Sequence, residues 1–182
     1  MFTGGPGVGK GTQCELATEE LKKSFDIRSS LHISAGELLR SITKLPEHER
    51  YHEVCENLKN GTIVDARITT DLLNARIREH VSNLESTVKT VKDNDMGSDI
   101  ILVDGFPRNM SNWECWQEHC DINTTPSMVF FDCPRSVLLN RLTKRGQTST
   151  SYRTDDIYDT ILKRFSVFDS TTLPLVMHYQ KT

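Results

Sequence analysis

The 182-residue sequence lacks any apolar run near the ~18 residues that a membrane-spanning helix requires. It also lacks an excess of basic charge: 22 Lys and Arg face 25 Asp and Glu, a formal net charge of −3. A protein that grips nucleic acid through bulk charge is therefore not expected. Cysteines are few and scattered, as Cys14, Cys55, Cys115, Cys120 and Cys133. Cys115 and Cys120 flank His119, but their spacing fits no common zinc pattern. Met1-Phe2-Thr3 has none of the design of a signal peptide. Reduced thiols in the cytoplasm, or in cytoplasm and nucleus, are the expectation. Internal repeats, low-complexity tracts and an Asn-Lys-x-Asp guanine motif are all missing. What is left fits one globular domain over 1–182, long enough to bury a core, with a hydrophobic content of 36%.

The densest signal is Gly4-Gly5-Pro6-Gly7-Val8-Gly9-Lys10-Gly11-Thr12. A glycine, four residues, then Gly-Lys is the spacing of a phosphate-binding loop. Glycines let main-chain N–H groups turn inward and approach phosphate oxygens. Lys10 adds a point charge, and a helix starting near it aims its positive end at the same anion. Many such loops carry Ser or Thr directly after the lysine. Here Gly11 stands there, and the hydroxyl comes one place later as Thr12.

The rest reads as alternating helices and strands. Helices are predicted over 10–25, from Ser34 toward Pro46, and over 48–59, 67–81, 110–119, 135–144, 155–168 and 173–179. Ser34 with Glu37 three residues on resembles a capping box. Strands are predicted at 31–33, 100–104 and 128–132, with 62–64 a short extended piece. The runs Ile100–Val103 and Met128–Phe131 suit parallel strands covered on both faces. Residues 82–98 are predicted as a helix extension followed by a loop. The alternation implies an α/β doubly wound parallel sheet flanked by helices, with ligand groups at strand ends.

Asp104 closes an apolar strand, where a carboxylate can help hold Mg²⁺ through water. Arg40 and Arg108 each follow a strand, and two guanidinium groups there could fork onto a second phosphate. Arg141 and Arg145 share a helix face. With Arg153 and Arg164 they bracket a small polar stretch, Gly146 to Tyr152, that reads as a lid able to close over phosphates.

Several stretches together resemble the nucleoside monophosphate kinases. They are the glycine-rich loop, Ser-Ala-Gly-Glu-Leu-Leu-Arg (34–40), Asp-Gly-Phe-Pro-Arg-Asn (104–109), Phe-Asp-Cys-Pro (131–134) and Arg-Thr-Asp-Asp (153–156). Within that family the likeness is to the UMP/CMP kinase branch, given Ser-Ala-Gly-Glu, Arg108 to Asn112, and a short lid without zinc cysteines. The resemblance implies a P-loop NTPase-type core with a helical monophosphate-binding insert over about 34–64 and a lid over 146–154. It implies transfer of the γ-phosphoryl of Mg-ATP to CMP or UMP, with dCMP a further acceptor. AMP as acceptor, or a truncated non-catalytic nucleotide-binding homologue, are the alternatives. Gly7, Val8, Gly9, Lys10, Gly11 and Thr12 would bind ATP phosphates, with Arg141 and Arg145 on the ATP side. Arg40, Thr62, Ile63, Val64, Gly105, Phe106, Pro107, Arg108, Asn112, Arg153 and Arg164 would bind the monophosphate. Asn112 would read the base with an amide free to turn over. Lys10, Arg145, Arg153 and Arg164 would surround the transferring group, and Asp104 would hold Mg²⁺. The implied partners are small nucleotides, with no nucleic acid or membrane, and a monomer is expected.

Three features depart from the family pattern. Asp65 stands where UMP/CMP kinases usually have proline. The lid is a couple of residues longer than the short type. The chain begins three residues before the loop and stops soon after Tyr179, so truncation at both ends relative to the family is the expectation.

Overall fold

The computed structural model describes residues 1–88, 97–122, 126–148 and 157–181. Its strands are β1 (Phe2–Gly4), β2 (Ile27–Ser34), β3 (Ser98–Asp104) and β4 (Val129–Phe131). They form one sheet in the order β2-β3-β1-β4, and every pair is parallel. This is the doubly wound α/β arrangement that the strand-helix alternation implies. β1 lies inside the sheet, pairing Phe2 with Asp104 of β3 and Phe2 to Gly4 with Val129 to Phe131 of β4. Its last residue starts the glycine loop, so the loop leaves the sheet at the carboxyl ends of its strands. Asp104 reaches the same edge, opposite Ser34 of β2. Three chemistry-bearing stretches are thus set side by side by register alone.

Helix α1 (Lys10–Ser24) follows the loop, then α2 (Ala35–Ile42), α3 (Tyr51–Asn60), α4 (Ala66–Val88), α5 (Met110–His119), α6 (Arg135–Thr148), α7 (Tyr158–Val167) and α8 (Leu173–Tyr179). Sequence reasoning places most of these within a few residues. α6 runs to Thr148, so the first three residues of the expected lid are helical; 149–156, including Arg153, lie outside the described residues. β2 starts at Ile27, four residues before the predicted strand, because Arg28, Ser29 and Ser30 carry polar side chains into a strand. Ser34 occupies the N-cap position of α2, but its side chain makes no cap hydrogen bond, so the expected capping box is not formed. α7 passes into a π-helical turn, Phe168–Thr172, before α8. Sequence pattern gave no sign of that turn.

The core is divided. One cluster packs Leu31, Ile33, Val103 and Phe106 against Leu73 and Ile77 of α4 and Trp116 of α5. On the other face, Phe2, Cys14 and Leu102 meet Ala17 and Leu21 of α1. A third cluster joins Val8 of the loop to Leu138, Leu142, Ile161 and Phe165. The fourth belongs to the expected insert and the start of α4: Leu39, Ile42, Val54, Val64 and Ile68. The second half of the glycine loop is therefore seated on α6 and α7, while the insert carries apolar packing of its own.

Candidate active site

The loop's shape depends on residues without side chains. Gly7 and Gly9 lie at φ of 81° and 95°, in the left-handed region that favours glycine. A Cβ on Gly7 would sit 2.8 Å from Cγ of Leu142. Val8, between them, turns its side chain into the core and its carbonyl outward, where it accepts from Arg141 Nη1 at 3.4 Å. Gly9 ends the loop as the N-cap of α1, and its carbonyl accepts the first helical bond from Gln13. The first-turn N–H groups of α1 are thereby left facing the loop.

Lys10 Nζ donates to the carbonyls of Gly4 at 3.0 Å and Gly5 at 3.1 Å. An ammonium has three N–H groups, so a third remains for the cleft. Burial first, then the charges of Arg108 and Arg164, lower its pKa from 10.5 to about 8, with Asp104 opposing. A lysine crowded by two guanidinium groups marks a place built to receive negative charge.

That place is a cleft of about 360 Å³ lined by Gly7, Gly9, Lys10, Gly11, Thr12, Arg40, Asp104, Arg108, Arg145 and Arg164, with Glu15, His32 and Glu37. Gly105, at φ 74°, is the floor: a Cβ there would lie 3.4 Å from Arg108 Nη2 and 4.0 Å from Lys10 Cε. Arg108 is held at three points. Its Nε donates to Gly105 O at 2.9 Å, its N–H donates to Asn112 Oδ1 at 3.1 Å, and its carbonyl accepts from Thr172 Oγ1 at 2.7 Å. Arg40 lies within α2 rather than just past a strand, its guanidinium against Gly36, where a Cβ would be 3.3 Å away.

Beside the cleft a narrow pocket runs between Thr62, Ile63 and Val64 and the Gly105–Phe106 turn, with Asn112 among its walls. Phe106 and Pro107 are fully buried, and the peptide between them is cis. Asn112 is buried, and its Nδ2 has no partner. The amide is not free to turn over as the resemblance implies. Its Oδ1 accepts the Arg108 N–H, and turning would set two donors face to face. Nδ2, buried and without a protein partner, is the amide's uncommitted donor.

Asp104 tests the site for a cation. It is buried, Oδ1 has no protein partner, and Oδ2 lies 3.5 Å from where a Gly11 Cβ would be. An unpartnered carboxylate oxygen beside a phosphate-sized cleft suits Mg²⁺, which takes one or two carboxylates, waters and phosphate oxygens. Thr12 and Glu15 line the same wall. Among the described residues no cluster of three or more His, Cys, Asp or Glu could hold a metal alone.

Of the residues singled out from sequence, all but three come together around this cleft and pocket or form the buried turn between them: Val8 turns its side chain into the core. Arg141 stands behind the loop, on the Val8 carbonyl, and Arg153 lies outside the described residues. Sequence reasoning missed Thr3 and Thr172, whose hydroxyls hold the Pro107 and Arg108 carbonyls, and His32, whose buried Nε2 has no partner. Only His32 carried a signal, its place near a strand end.

A family model described as adenylate kinase matches residues 2–182. The chain belongs to the adenylate kinase family. Among curated proteins of known name, uridylate kinase of Saccharomyces cerevisiae is 38% identical over 178 residues, covering 97% of this chain and 75% of that one. UMP-CMP kinase of Lentinula edodes is 35% identical over 179 residues, covering 98% and 72%. UMP-CMP kinase of Homo sapiens is 35% identical over 180 residues, covering 98% and 81%. The likeness spans the glycine loop, the insert and α7 alike. Among the described residues of this family member, no helix is long and apolar enough to cross a membrane.

Proposed function

We propose that this family member moves the γ-phosphoryl of Mg-ATP onto the phosphate of CMP or UMP, giving ADP and a pyrimidine nucleoside diphosphate. One arrangement supports the reading above all. Lys10, Arg108 and Arg164 converge on one cleft that adjoins a pocket where the Asn112 amide offers a donor. The pyrimidine choice follows the relatives named uridylate kinase and UMP-CMP kinase.

The loop from Gly7 to Thr12 takes the ATP phosphates on main-chain N–H groups, and Arg141 steadies it from behind. Arg40 and Arg108 fork onto the acceptor phosphate. Thr62, Ile63 and Val64 wall the nucleoside against Gly105, Phe106 and Pro107, and Asn112 donates to an acceptor on the base. Mg²⁺, held through water at Asp104, would neutralise charge on the ATP phosphates. Then an oxygen of the acceptor phosphate attacks the γ-phosphorus, and the bond to the β-phosphate oxygen breaks with its electron pair leaving on ADP. That acceptor oxygen is already anionic, so no general base is needed, and catalysis is positioning plus charge stabilisation. Lys10, Arg145, Arg153 and Arg164 offset the charge on the migrating group. The insert over 34–64 and the lid over 146–154 close to expel water. The protein acts as a cytoplasmic monomer.

A coupled assay offering CMP, UMP, dCMP and AMP to one preparation tests the reading. Turnover on CMP or UMP should exceed that on AMP at least tenfold. A preference for AMP would move the protein to adenylate kinase activity, and no turnover on any acceptor would refute phosphotransfer.

A further inference from the structure

The π-helical turn Phe168–Thr172 follows directly on the helix that carries Arg164. Such turns insert a residue into an α-helix and are frequent where function constrains a side chain. One residue more or less rotates everything beyond it by roughly 100°. Here the turn brings Thr172 round to the cleft side. Thr172 is 4% exposed, and its Oγ1 donates to the Arg108 carbonyl at 2.7 Å. Its neighbour Thr171 bonds back to Val167 O at 2.6 Å, inside the turn, and reaches the same Arg108 carbonyl only at 3.5 Å. From the opposite side Thr3 Oγ1, on β1, donates to the Pro107 carbonyl at 3.1 Å. The carbonyls on either side of the Arg108 Cα are thus held by two buried hydroxyls, one from the sheet and one from the π turn that follows the Arg164 helix.

We propose that Thr172 is a positioning residue that fixes the spacing between Arg108 and Arg164, and so aligns the acceptor phosphate with the group being transferred. This rests on the phosphotransfer reading above. The Arg108 side chain is already tied to Gly105, so what Thr172 sets is where the whole turn stands relative to α7. Without that bond the Arg108 carbonyl loses its short buried donor and keeps only the 3.5 Å approach of Thr171, so the turn is free to shift away from Arg164. The ATP loop, seated on α6 and α7 through Val8, is untouched by this change.

Steady-state kinetics on three variants test it, with CMP or UMP and ATP varied separately. Thr172→Val keeps the shape and removes the donor. It should raise KM for the acceptor about five- to tenfold and lower kcat, with KM for ATP changing less than twofold. Thr172→Ser restores the hydroxyl and should return both parameters to within about twofold of the parent. If Thr172→Val does not fold, as judged by its melt, Thr172→Cys supplies the same comparison with a weak donor. An unchanged acceptor KM in the valine or cysteine variant would overturn the proposal, as would equal shifts in both KM values or failure of serine to rescue. Failure of the phosphotransfer reading looks different: the parent protein itself would turn over no monophosphate, and the proposal would fall with it.

Discussion

Lys10 shows at the scale of one residue how the fold is prepared for anions. Its ammonium is buried beside two guanidinium groups, which holds its pKa near about 8. The sign follows directly. The unfolded chain keeps this proton up to about 10.5, the folded one only to about 8, so this residue's contribution to stability rises with pH across that window. Bound phosphates reverse the local balance and pull the pKa back up. Nucleotide binding near pH 8 should therefore take up about half a proton, measurable by calorimetry in buffers of different ionisation enthalpy. At pH 6.5 the uptake should nearly vanish, and Lys10→Met should abolish it at both. Equal uptake in the methionine variant would assign the proton elsewhere. Asn112 makes a second residue-scale case. With Oδ1 already accepting from the Arg108 N–H, Nδ2 is the amide's unpartnered donor, and under the proposed function it is the group that would address a base. Asn112→Asp keeps the acceptor and replaces the donor by a second oxygen. The acceptor KM should rise about tenfold or more while that for ATP stays within twofold. An unchanged acceptor KM would remove Asn112 from the pocket's recognition.

At the scale of elements, Asp65 explains a departure that the sequence left open. It replaces the proline of the resembling enzymes, yet it opens α4 well: its Oδ1 accepts from the N–H of Arg67 at 2.8 Å and, more weakly, of Ile68 at 3.4 Å. This satisfies first-turn donors that would otherwise lack partners. Asp65→Ala should cost about 1 kcal/mol, a fall in melting temperature of roughly 2–4 °C, whereas Asp65→Asn should cost only a few tenths. A silent alanine variant would show the cap to be dispensable. How far such elements were legible depended on how local their causes are. α5 and α8 begin and end where periodicity and flanking residues place them; Asn109 even supplies the α5 cap, accepting from Asn112 N–H at 2.8 Å. The shape of the glycine loop and the place of Asp104 at a strand end were legible because residue spacing and an apolar run set them locally. Ser34 was misread because a residue at a helix start that also lines a ligand cleft need not spend its hydroxyl on the helix. The π turn was hidden because Phe-Asp-Ser-Thr-Thr reads as ordinary helix; what decides it is Thr172 meeting Arg108, 64 residues away. Long-range hydrogen bonds leave no trace in local pattern.

The whole molecule puts its cations on different bodies. Lys10 leads out of the sheet, Arg108 follows β3, Arg40 sits on the insert helix α2, and Arg145 and Arg164 ride on α6 and α7. The insert's cluster of Leu39, Ile42, Val54, Val64 and Ile68 is separate from the clusters on the two sheet faces. Its end is latched to α7 where Gly61, at φ 69°, backs onto Arg164 Cγ, 3.0 Å from a Cβ built there, and Thr160 Oγ1 reaches Lys59 O at 3.5 Å. An anion that spans these supports would draw them together. If the cleft takes two nucleotides end to end as proposed, a ligand made of adenosine and uridine joined by five phosphates should bridge all of them at once, whereas ATP or UMP alone should reach one side. By linkage, binding stabilises the folded state by about 2.7 kcal/mol at a hundredfold excess over Kd. For a chain of this length that is roughly 5–10 °C in melting temperature. At equal concentration the bridging ligand should raise the melt more than ATP and UMP added together, because the second nucleoside end binds from a tethered position. The transition should stay single and cooperative. A shift no larger than that given by ATP would mean that the two halves of the cleft do not act as one site, and the end-to-end arrangement of two nucleotides would have to be abandoned.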